Sequence, residues 1–284
     1  MNDLQKIADQ YMFEQNNRVI PEFEGYSPIE MHHLLHNTFG TYSPIKLLDP
    51  GEGFYDKIPV LNHVKFLASL IADAGELRLT SKSNLPPDVV VKLYNQGFIR
   101  DKYIDSGRVK LRRESDLPVI GLARLLLLLS GLIKKRNNRL SLTKAARNIF
   151  NDDFLLLKSI LDSYCKKFSW AYLDLYEGRN IGQLGHGFSL LLFSKYGHEK
   201  RDSKFYAEKY FRAFPQLVSD NQTVYFKDNH LSCYSLRTFD RFLEFFGLVV
   251  IDEPTEMFSR ERVVQKSDLF DKMIQIKPHT VIHE

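Results

Sequence analysis

The fold of this chain is decided by its residues 121–150, which read GLARLLLLLSGLIKKRNNRLSLTKAARNIF. The leucine run is typical of a buried helix, and the paired asparagines favour a tight turn. The stretch therefore predicts four elements in order: an apolar helix over 120–133, a polar connector with an Asn-Asn turn over 134–138, a strand over 139–143 and a helix over 144–150.

The leucine run also bears on what this helix can contact. Five consecutive leucines cover every direction around a helix axis, because successive residues are about 100° apart. We expect four of them to be largely buried, namely Leu125, Leu126, Leu128 and Leu129. A helix that reads base edges must present polar side chains, and here only Arg124 and Ser130 qualify. Sequence-specific DNA recognition through this helix is therefore not expected.

A second stretch repeats the same order of signals near the C-terminus. Gly131-Leu132 is followed by a hairpin and a helix, and Gly247-Leu248 is followed by a longer hairpin, a strand at 262–265 and a helix from Ser267. This order is the one found in winged-helix modules, where short connections close a three-helix core with a two-stranded wing. We predict that residues 121–150 and 238–275 share one fold. An ordinary helix-hairpin-helix connection is the alternative.

The rest of the chain follows helical spacing with few strand signals. The predicted fold class is mainly α with small β-hairpins, in which one or two winged-helix-like units are joined by a helical middle. Four segments are expected: an acidic helical segment at 1–64, a basic winged-helix-like region at 65–150, a helical middle at 151–235 and a winged-helix-like region at 236–284.

Composition excludes several classes of protein. The 284 residues are 44% hydrophobic and 26% charged, as in ordinary globular proteins, which argues against disorder, collagen and a disulfide scaffold. The longest apolar run, Leu125–Leu129, is far shorter than a membrane span.

The N-terminus, Met1–Lys6, is acidic and lacks the apolar core of a secretory signal. Cys165 and Cys233 are far apart, as expected of reduced thiols. These features predict a cytoplasmic location without membrane contact.

The net charge of +4 is unevenly distributed. Residues 1–64 carry a net charge of −5, and residues 65–150 carry +10. The basic segment could face an anionic partner such as nucleic acid, or it could dock on the acidic segment of the same chain.

The basic residues form two clusters. Residues 98–113 alternate around Asp105-Ser106-Gly107, which predicts two basic strands joined by a turn. The second cluster falls at the tip of the predicted wing, where point charges can lie along phosphates. The candidate nucleic-acid contacts are Arg100, Lys102, Arg108, Lys110, Arg112, Arg113, Lys134, Lys135, Arg136 and Arg139.

Catalytic and cofactor motifs lack the required spacing. His32 and His36 lie one helical turn apart and could chelate a metal, but His33 occupies the place where a zincin needs its glutamate. An exposed helix surface is the favoured interpretation. The glycines at 182–187 lack the spacing of a dinucleotide loop. No cofactor is predicted.

One segment resembles a known group of proteins. Leu79-Thr80-Ser81-Lys82-Ser83-Asn84-Leu85-Pro86 is similar to a Leu-Thr-x-x-Gly-Asn-Leu-Pro segment in a little-studied group of bacterial proteins, some plasmid-borne. Ser83 stands where that group usually has glycine. Further similarity lies at 131–143, 188–189 and 213–215. The resemblance implies an intracellular bacterial protein, but no activity and no catalytic residues.

These observations lead to one functional expectation and two alternatives. We expect a non-catalytic cytosolic interaction or regulatory module, whose partner is a protein or a nucleic acid. The first alternative is a nucleic-acid-binding protein that uses the basic wing and the 100–113 hairpin, mainly on phosphates. The second is an enzyme whose site is assembled from distant residues, such as His32, His36 and His186 in one deep polar pocket.

Overall fold

The fold is mainly helical, with small antiparallel strands, as predicted from the sequence. A computed structural model describes residues 3–176, 180–218, 229–252 and 262–279. Among the described residues, no helix is both long enough and apolar enough to cross a bilayer.

The helices and strands have the following bounds. The helices are α1 (Asp3–Asn17), α2 (Pro28–His36), α3 (Pro59–Ala74), α4 (Pro87–Tyr94), α5 (Lys102–Asp105), α6 (Pro118–Leu129), α7 (Lys144–Ile149), α8 (Asp153–Asp162), α9 (His186–Tyr196), α10 (Ser203–Ala213), α11 (Asn229–Arg237) and α12 (Phe270–Met273). The strands are β1 (Ile45–Leu47), β2 (Leu77–Arg78), β3 (Ile133–Arg136), β4 (Arg139–Leu142), β5 (Arg201–Asp202), β6 (Val249–Asp252), β7 (Val263–Lys266) and β8 (Ile274–Ile276). Two π-helical turns extend α8 through Ser163–Lys167 and α11 through Thr238–Leu243.

The chain forms two compact units, which differ from the four predicted sequence segments. Unit 1 comprises residues 1–50, 175–244 and 248–284, and unit 2 comprises residues 51–174 and 245–247. Unit 2 contains a three-stranded antiparallel sheet in the order β2-β4-β3, and α6 packs against α3 and α4. Unit 1 contains a second such sheet in the order β5-β7-β6, together with the two-stranded pair β1-β8.

The two three-stranded sheets are built in the same way, so the predicted repeat is confirmed at the level of topology. In each unit a helix leads into a short strand, further helices and a hairpin, and the second hairpin strand lies in the middle of the sheet. Unit 2 has α4, α5 and α6 between the short strand and the hairpin, whereas unit 1 has α10 and α11. Backbone hydrogen bonds recur at equivalent places in the two units: Leu132 N to Leu127 O and Leu248 N to Leu243 O; Thr143 N to Leu132 O and Ser267 N to Leu248 O; Leu79 N to Asn138 O and Ser203 N to Arg262 O. The second copy begins at α9, inside the segment predicted as a helical middle.

The two glycines from which the repeat was predicted have a geometric role. Gly131 and Gly247 have φ values of +74° and +70°, a region that side chains with a Cβ rarely adopt. Each glycine ends a helix and turns the chain into the hairpin. The following residues, Leu132 and Leu248, are buried at 0% and 1% exposure. The Gly-Leu pair therefore ends the helix and anchors the hairpin in the core.

The sequence also predicts two helix starts, one at Ser27 with a capping box to Glu30 and one at Pro59, and the structure confirms both. Ser27 caps α2, and its side chain and backbone form a reciprocal capping box with Glu30. Proline begins α3, as predicted, and Gly75 ends it. Helix α1 is present, but none of its residues is buried.

Two local predictions are wrong. Residues 98–113 form no strands, because Asp101 caps a short helix there: its Oδ1 accepts from Tyr103 N at 2.8 Å and from Ile104 N at 3.0 Å. The predicted connector at 134–138 is largely strand, since Ile133–Arg136 pairs with β4 and only Asn137 and Asn138 form the turn.

The prediction for the leucine run is confirmed only in part. Helix α6 ends at Leu129, and Leu126 and Leu127 are buried, whereas Leu125, Leu128 and Leu129 are only half-buried. The reason is that α6 packs on α3 and α4 along one stripe, which leaves the opposite side incompletely covered.

We expect the buried side chain of His63 to make the stability of unit 2 depend on pH. His63 is 0% exposed, its Nδ1–H donates to Pro59 O at 2.8 Å, and its Nε2 has no hydrogen-bond partner. Burial lowers the pKa of His63 below its ordinary value, although the bond to Pro59 acts in the opposite direction. Because the folded state disfavours the protonated form, stability is lost as the pH falls below the unfolded pKa of about 6.5.

We predict that His63→Leu removes this acid sensitivity. The free energy of unfolding of the variant minus that of wild type should rise as the pH falls below about 6.5. The rise should be up to about 1.4 kcal/mol for each pH unit, until the pH reaches the folded pKa of His63. Urea unfolding at a series of pH values measures this difference. Parallel pH profiles for the two proteins would show that His63 does not titrate differently in the folded and unfolded states.

Candidate functional site

Three arginines form a row across the three-stranded sheet of unit 2. The Cα register pairs Arg78 on β2 with Arg139 on β4, and Arg139 with Arg136 on β3. Adjacent strands are about 4.8 Å apart, so the three side chains leave the sheet within about 10 Å of one another on one face. All three are exposed. We call Arg78, Arg139 and Arg136 the arginine row.

The two faces of the sheet differ in character. The opposite face carries Leu140, which is 0% exposed and belongs to the core, and Leu77, which pairs with it. Side chains alternate along a strand, so Lys134 lies on the same face as Arg136, and Lys135 lies on the other. The basic residues of the hairpin are on its strands, and Arg136 and Arg139 flank the two-residue turn at its tip.

Residues outside the hairpin hold its turn in place through hydrogen bonds to Asn138. Asn137 and Asn138 have φ values of +48° and +58°, which suits a tight two-residue turn. The Asn138 amide donates to Leu79 O at 3.2 Å and to Thr80 O at 2.7 Å, and its Oδ1 accepts from Ser83 Oγ at 2.9 Å. These bonds hold β4 beside β2, and this pairing creates the arginine row.

Ser83 adopts a backbone conformation that glycine adopts more easily than other residues. Its φ is +62°, in the left-handed region that favours glycine. The bond from Ser83 Oγ to Asn138 compensates for this strain. The backbone N–H of Ser83 also donates to Thr80 O at 2.8 Å, which closes a turn at this position.

The arginine row has little internal charge compensation. Like charges directly opposite one another on a sheet destabilise it. Among the ion pairs of the described residues, only one involves the row: Arg139 Nη1 lies 3.2 Å from Glu76 Oε2. Both of these side chains are more than half exposed, so the pair is weak. Arg78 and Arg136 have no ion pair among the described residues. This arrangement is suited to an external anion.

The predicted residues of the 100–113 cluster divide into paired and unpaired groups. Arg100 pairs with Asp105 at 2.9 Å, with its guanidinium over the Tyr94 ring, and Arg113 pairs with Asp116 at 3.5 Å. The Lys102 ammonium lies 5.8 Å from the centroid of the Tyr103 ring. The exposed cations for which the described residues provide no ion pair are Arg108, Lys110, Arg112, Lys134 and Lys135.

The equivalent row in unit 1 has the opposite charge. The hydrogen-bond correspondence places Asp202, Val263 and Asp252 at the positions of the arginine row. Asp202 also caps α10 by accepting from Lys204 N at 2.8 Å, and Asp252 pairs with Lys200 at 2.7 Å. The fold therefore accepts either sign at these positions, so the three arginines are not required to form the sheet.

Helix α6, which precedes the basic hairpin, has no free polar side chain for base reading. Arg124 is committed to Glu114: Arg124 Nε donates to Glu114 Oε2 at 2.9 Å, and a second bond joins Arg124 Nη2 to Oε1. Glu114 also accepts from Leu85 N at 3.2 Å. The hydroxyl of Ser130 donates to Leu127 O at 3.1 Å within its own helix.

The histidines singled out in the sequence do not form one site. The rings of His32 and His36 lie 4.5 Å apart between centroids on the exposed side of α2. No cluster of three or more potential metal ligands occurs among the described residues. His186 is buried elsewhere in unit 1, where its Nε2 lies 3.0 Å from Thr38 Oγ1. Among the described residues, His32, His36 and His186 therefore do not line one deep pocket, which is the arrangement that would favour an enzyme.

Sequence reasoning missed Arg78, the second and last residue of the two-residue strand β2. The Leu77-Arg78 alternation was visible, but its partner Leu140 is 63 residues away along the chain. Only the pairing of β2 with β4 shows that Arg78 belongs to the basic face. Comparison of the chain with protein-family models, with curated proteins and with solved structures finds no match in any of the three.

Proposed function

We propose that unit 2 is a winged-helix-like interaction module that binds nucleic acid through the phosphate backbone. The observation that carries this proposal is the arginine row, in which three exposed guanidinium groups share one face and have only Glu76 as an ion-pair partner in the described part of the chain. Guanidinium groups bind phosphate oxygens with two parallel hydrogen bonds, and they remain charged at every physiological pH. A bacterial cytoplasmic location, as the resemblance implies, would give the module access to such a partner.

Binding of this kind is expected to be weakly selective for sequence. Phosphate contacts position a protein on a duplex but carry no sequence information. Helix α6 offers no free polar group to base edges, because Arg124 is held by Glu114 and the outer leucines are apolar. The proposed role is therefore that of a general nucleic-acid contact within an interaction module.

The affinity of a substituted protein for duplex DNA tests the proposal. The variant Arg78→Gln/Arg136→Gln/Arg139→Gln should bind a fluorescein-labelled 20-base-pair duplex at least about ten-fold more weakly than wild type at about 50 mM salt, because three phosphate contacts are lost. Fluorescence anisotropy measures this affinity. A duplex of unrelated sequence should bind wild type within about three-fold of the first.

A charge-matched variant is the control. Lys57→Gln/Lys92→Gln/Lys158→Gln removes the same number of exposed cations from unit 2, at positions outside the sheet. We expect this variant to keep its affinity within about three-fold of wild type, since exposed cations outside the contact act only through screened fields. Equal loss in both variants would show that net charge, and not the arginine row, determines binding. Absence of binding by wild type would leave a protein partner as the expected ligand of the module.

A further inference from the structure

A cavity of about 360 Å³ lies in unit 1, beside α9 and β8. Its apolar wall is formed by Leu191 of α9, Ile276 of β8 and Pro278. Cavities that bind small molecules have volumes of about 300–1,000 Å³ and combine apolar walls with a few polar groups. The polar groups of this cavity therefore decide what it can bind.

The first carboxylate at the cavity, Glu24, already has its hydrogen bonds satisfied. Its oxygens accept from Lys195 Nζ and from Lys209 Nζ, both at 2.7 Å, and from the Tyr196 hydroxyl at 2.5 Å. Its side chain is only 8% exposed. Burial alone would raise the pKa of Glu24, but these three hydrogen bonds outweigh burial and hold the pKa below its ordinary value. Glu24 and its two lysines together carry one more positive than negative charge, before the second carboxylate of this region is counted.

A second carboxylate lies behind the cavity and is satisfied as well. Glu30 Oε2 accepts from the Ser27 backbone N–H at 2.8 Å and from the Ser27 hydroxyl at 2.9 Å. The same oxygen lies 2.6 Å from Nδ1 of His279, whose ring lines the cavity. Neither carboxylate therefore has an unsatisfied need for a cation.

The polar groups that remain available at the cavity are chiefly donors. Lys195 Nζ gives one hydrogen to Glu24 and keeps others for a ligand, and its side chain is about half exposed. The hydrogen bond to Glu24 raises the pKa of Lys195, so the lysine is charged at neutral pH. Ser194 also lines the cavity, and no side-chain hydrogen bond of its hydroxyl occurs among the described residues. The cavity thus joins an apolar wall to an ammonium and a hydroxyl.

We propose that this cavity binds a small organic anion, a carboxylate carried on a short apolar body. The carboxylate would pair with Lys195 Nζ and Ser194 Oγ at the open side. The apolar body would lie against Leu191 and Ile276. This site is separate from the arginine row, and the proposal does not depend on nucleic-acid binding.

Benzoate is a suitable probe, with benzyl alcohol as its neutral counterpart. In the full-length protein with labelled methyl groups, benzoate should produce saturable NMR shifts at Leu191 and Ile276, with a Kd of about 1 mM, as expected for a fragment-sized ligand. Benzyl alcohol should bind at least about five-fold more weakly, because it cannot pair with the ammonium.

Two lysine variants distinguish the proposed site from a structural effect. Lys195→Met and Lys209→Met each remove one of the two lysines on Glu24, but only Lys195 lines the cavity. We expect Lys195→Met to weaken benzoate binding about ten-fold or more, and Lys209→Met to keep it within about three-fold of wild type. Any of three results would overturn the proposal: no saturable shift up to about 10 mM benzoate, equal affinity for benzyl alcohol, or equal loss in both variants.

Discussion

Glu114→Gln is expected to lower the free energy of unfolding of unit 2 by about 3–5 kcal/mol. Glu114 is 6% exposed, and its carboxylate accepts two hydrogen bonds from Arg124 and one from the backbone of Leu85. The Arg124 side chain is only 13% exposed. Removing the negative charge leaves a buried guanidinium without compensation, which costs far more than the intact pair contributes.

The effect can be separated from a general loss of acidic residues. Asp162→Asn breaks the Asp162–Lys166 pair, whose side chains are 45% and 53% exposed, and should cost less than about 1 kcal/mol. The double variant Glu114→Gln/Arg124→Met should recover most of the stability, because no charge then remains buried. Urea unfolding measures all three variants. A loss of less than about 1 kcal/mol for Glu114→Gln would show that this pair is not buried in solution.

Leu126→Ala is expected to cost about 2–5 kcal/mol, the sum of lost transfer free energy and the cavity that remains. Leu126 is 0% exposed and lies on the buried stripe of α6, which packs against α3. Leu128→Ala is the matched control, because Leu128 belongs to the same helix but is only half-buried. Its cost should be clearly smaller, since it buries less apolar area. Equal costs in chemical denaturation would contradict the description of α6 as a helix with one buried stripe.

The hairpins and the repeat could be predicted from the sequence because their signals are local. Gly131-Leu132 and Gly247-Leu248 each end a helix with a positive φ and start a strand within two residues. Asn137 and Asn138 lie between paired strands, as such dipeptides usually do. The predictions of helical starts at Ser27 and Pro59 succeeded for the same reason, since caps act within one turn.

Two predictions from the sequence differ from the structure, and each difference has a physical reason. The alternation at 98–113 suggested strands, but Asp101 offers two hydrogen bonds to the next turn of the backbone and starts a helix. The five leucines suggested burial all round. The surrounding elements decide how much of a helix is covered, and composition does not contain that information.

The candidate sites needed long-range information. Four of the ten predicted cations lie on the hairpin, but Arg78 joins them only because β2 pairs with β4. The cavity in unit 1 is assembled from three stretches of chain, represented by Glu24, Lys195 and His279. No spacing in the sequence indicates that these residues meet.

The salt dependence of duplex binding tests the central claim, that the arginine row contacts phosphates, most directly. Each phosphate neutralised on B-DNA contributes about −0.9 to the slope of log K against log salt concentration. Three contacts therefore predict a wild-type slope with a magnitude of about 2.7 or more. The variant that replaces Arg78, Arg136 and Arg139 by glutamine should show a slope that is smaller in magnitude by about 2.7. Identical slopes for the two proteins would contradict the claim, because the arginines would then displace no counterions.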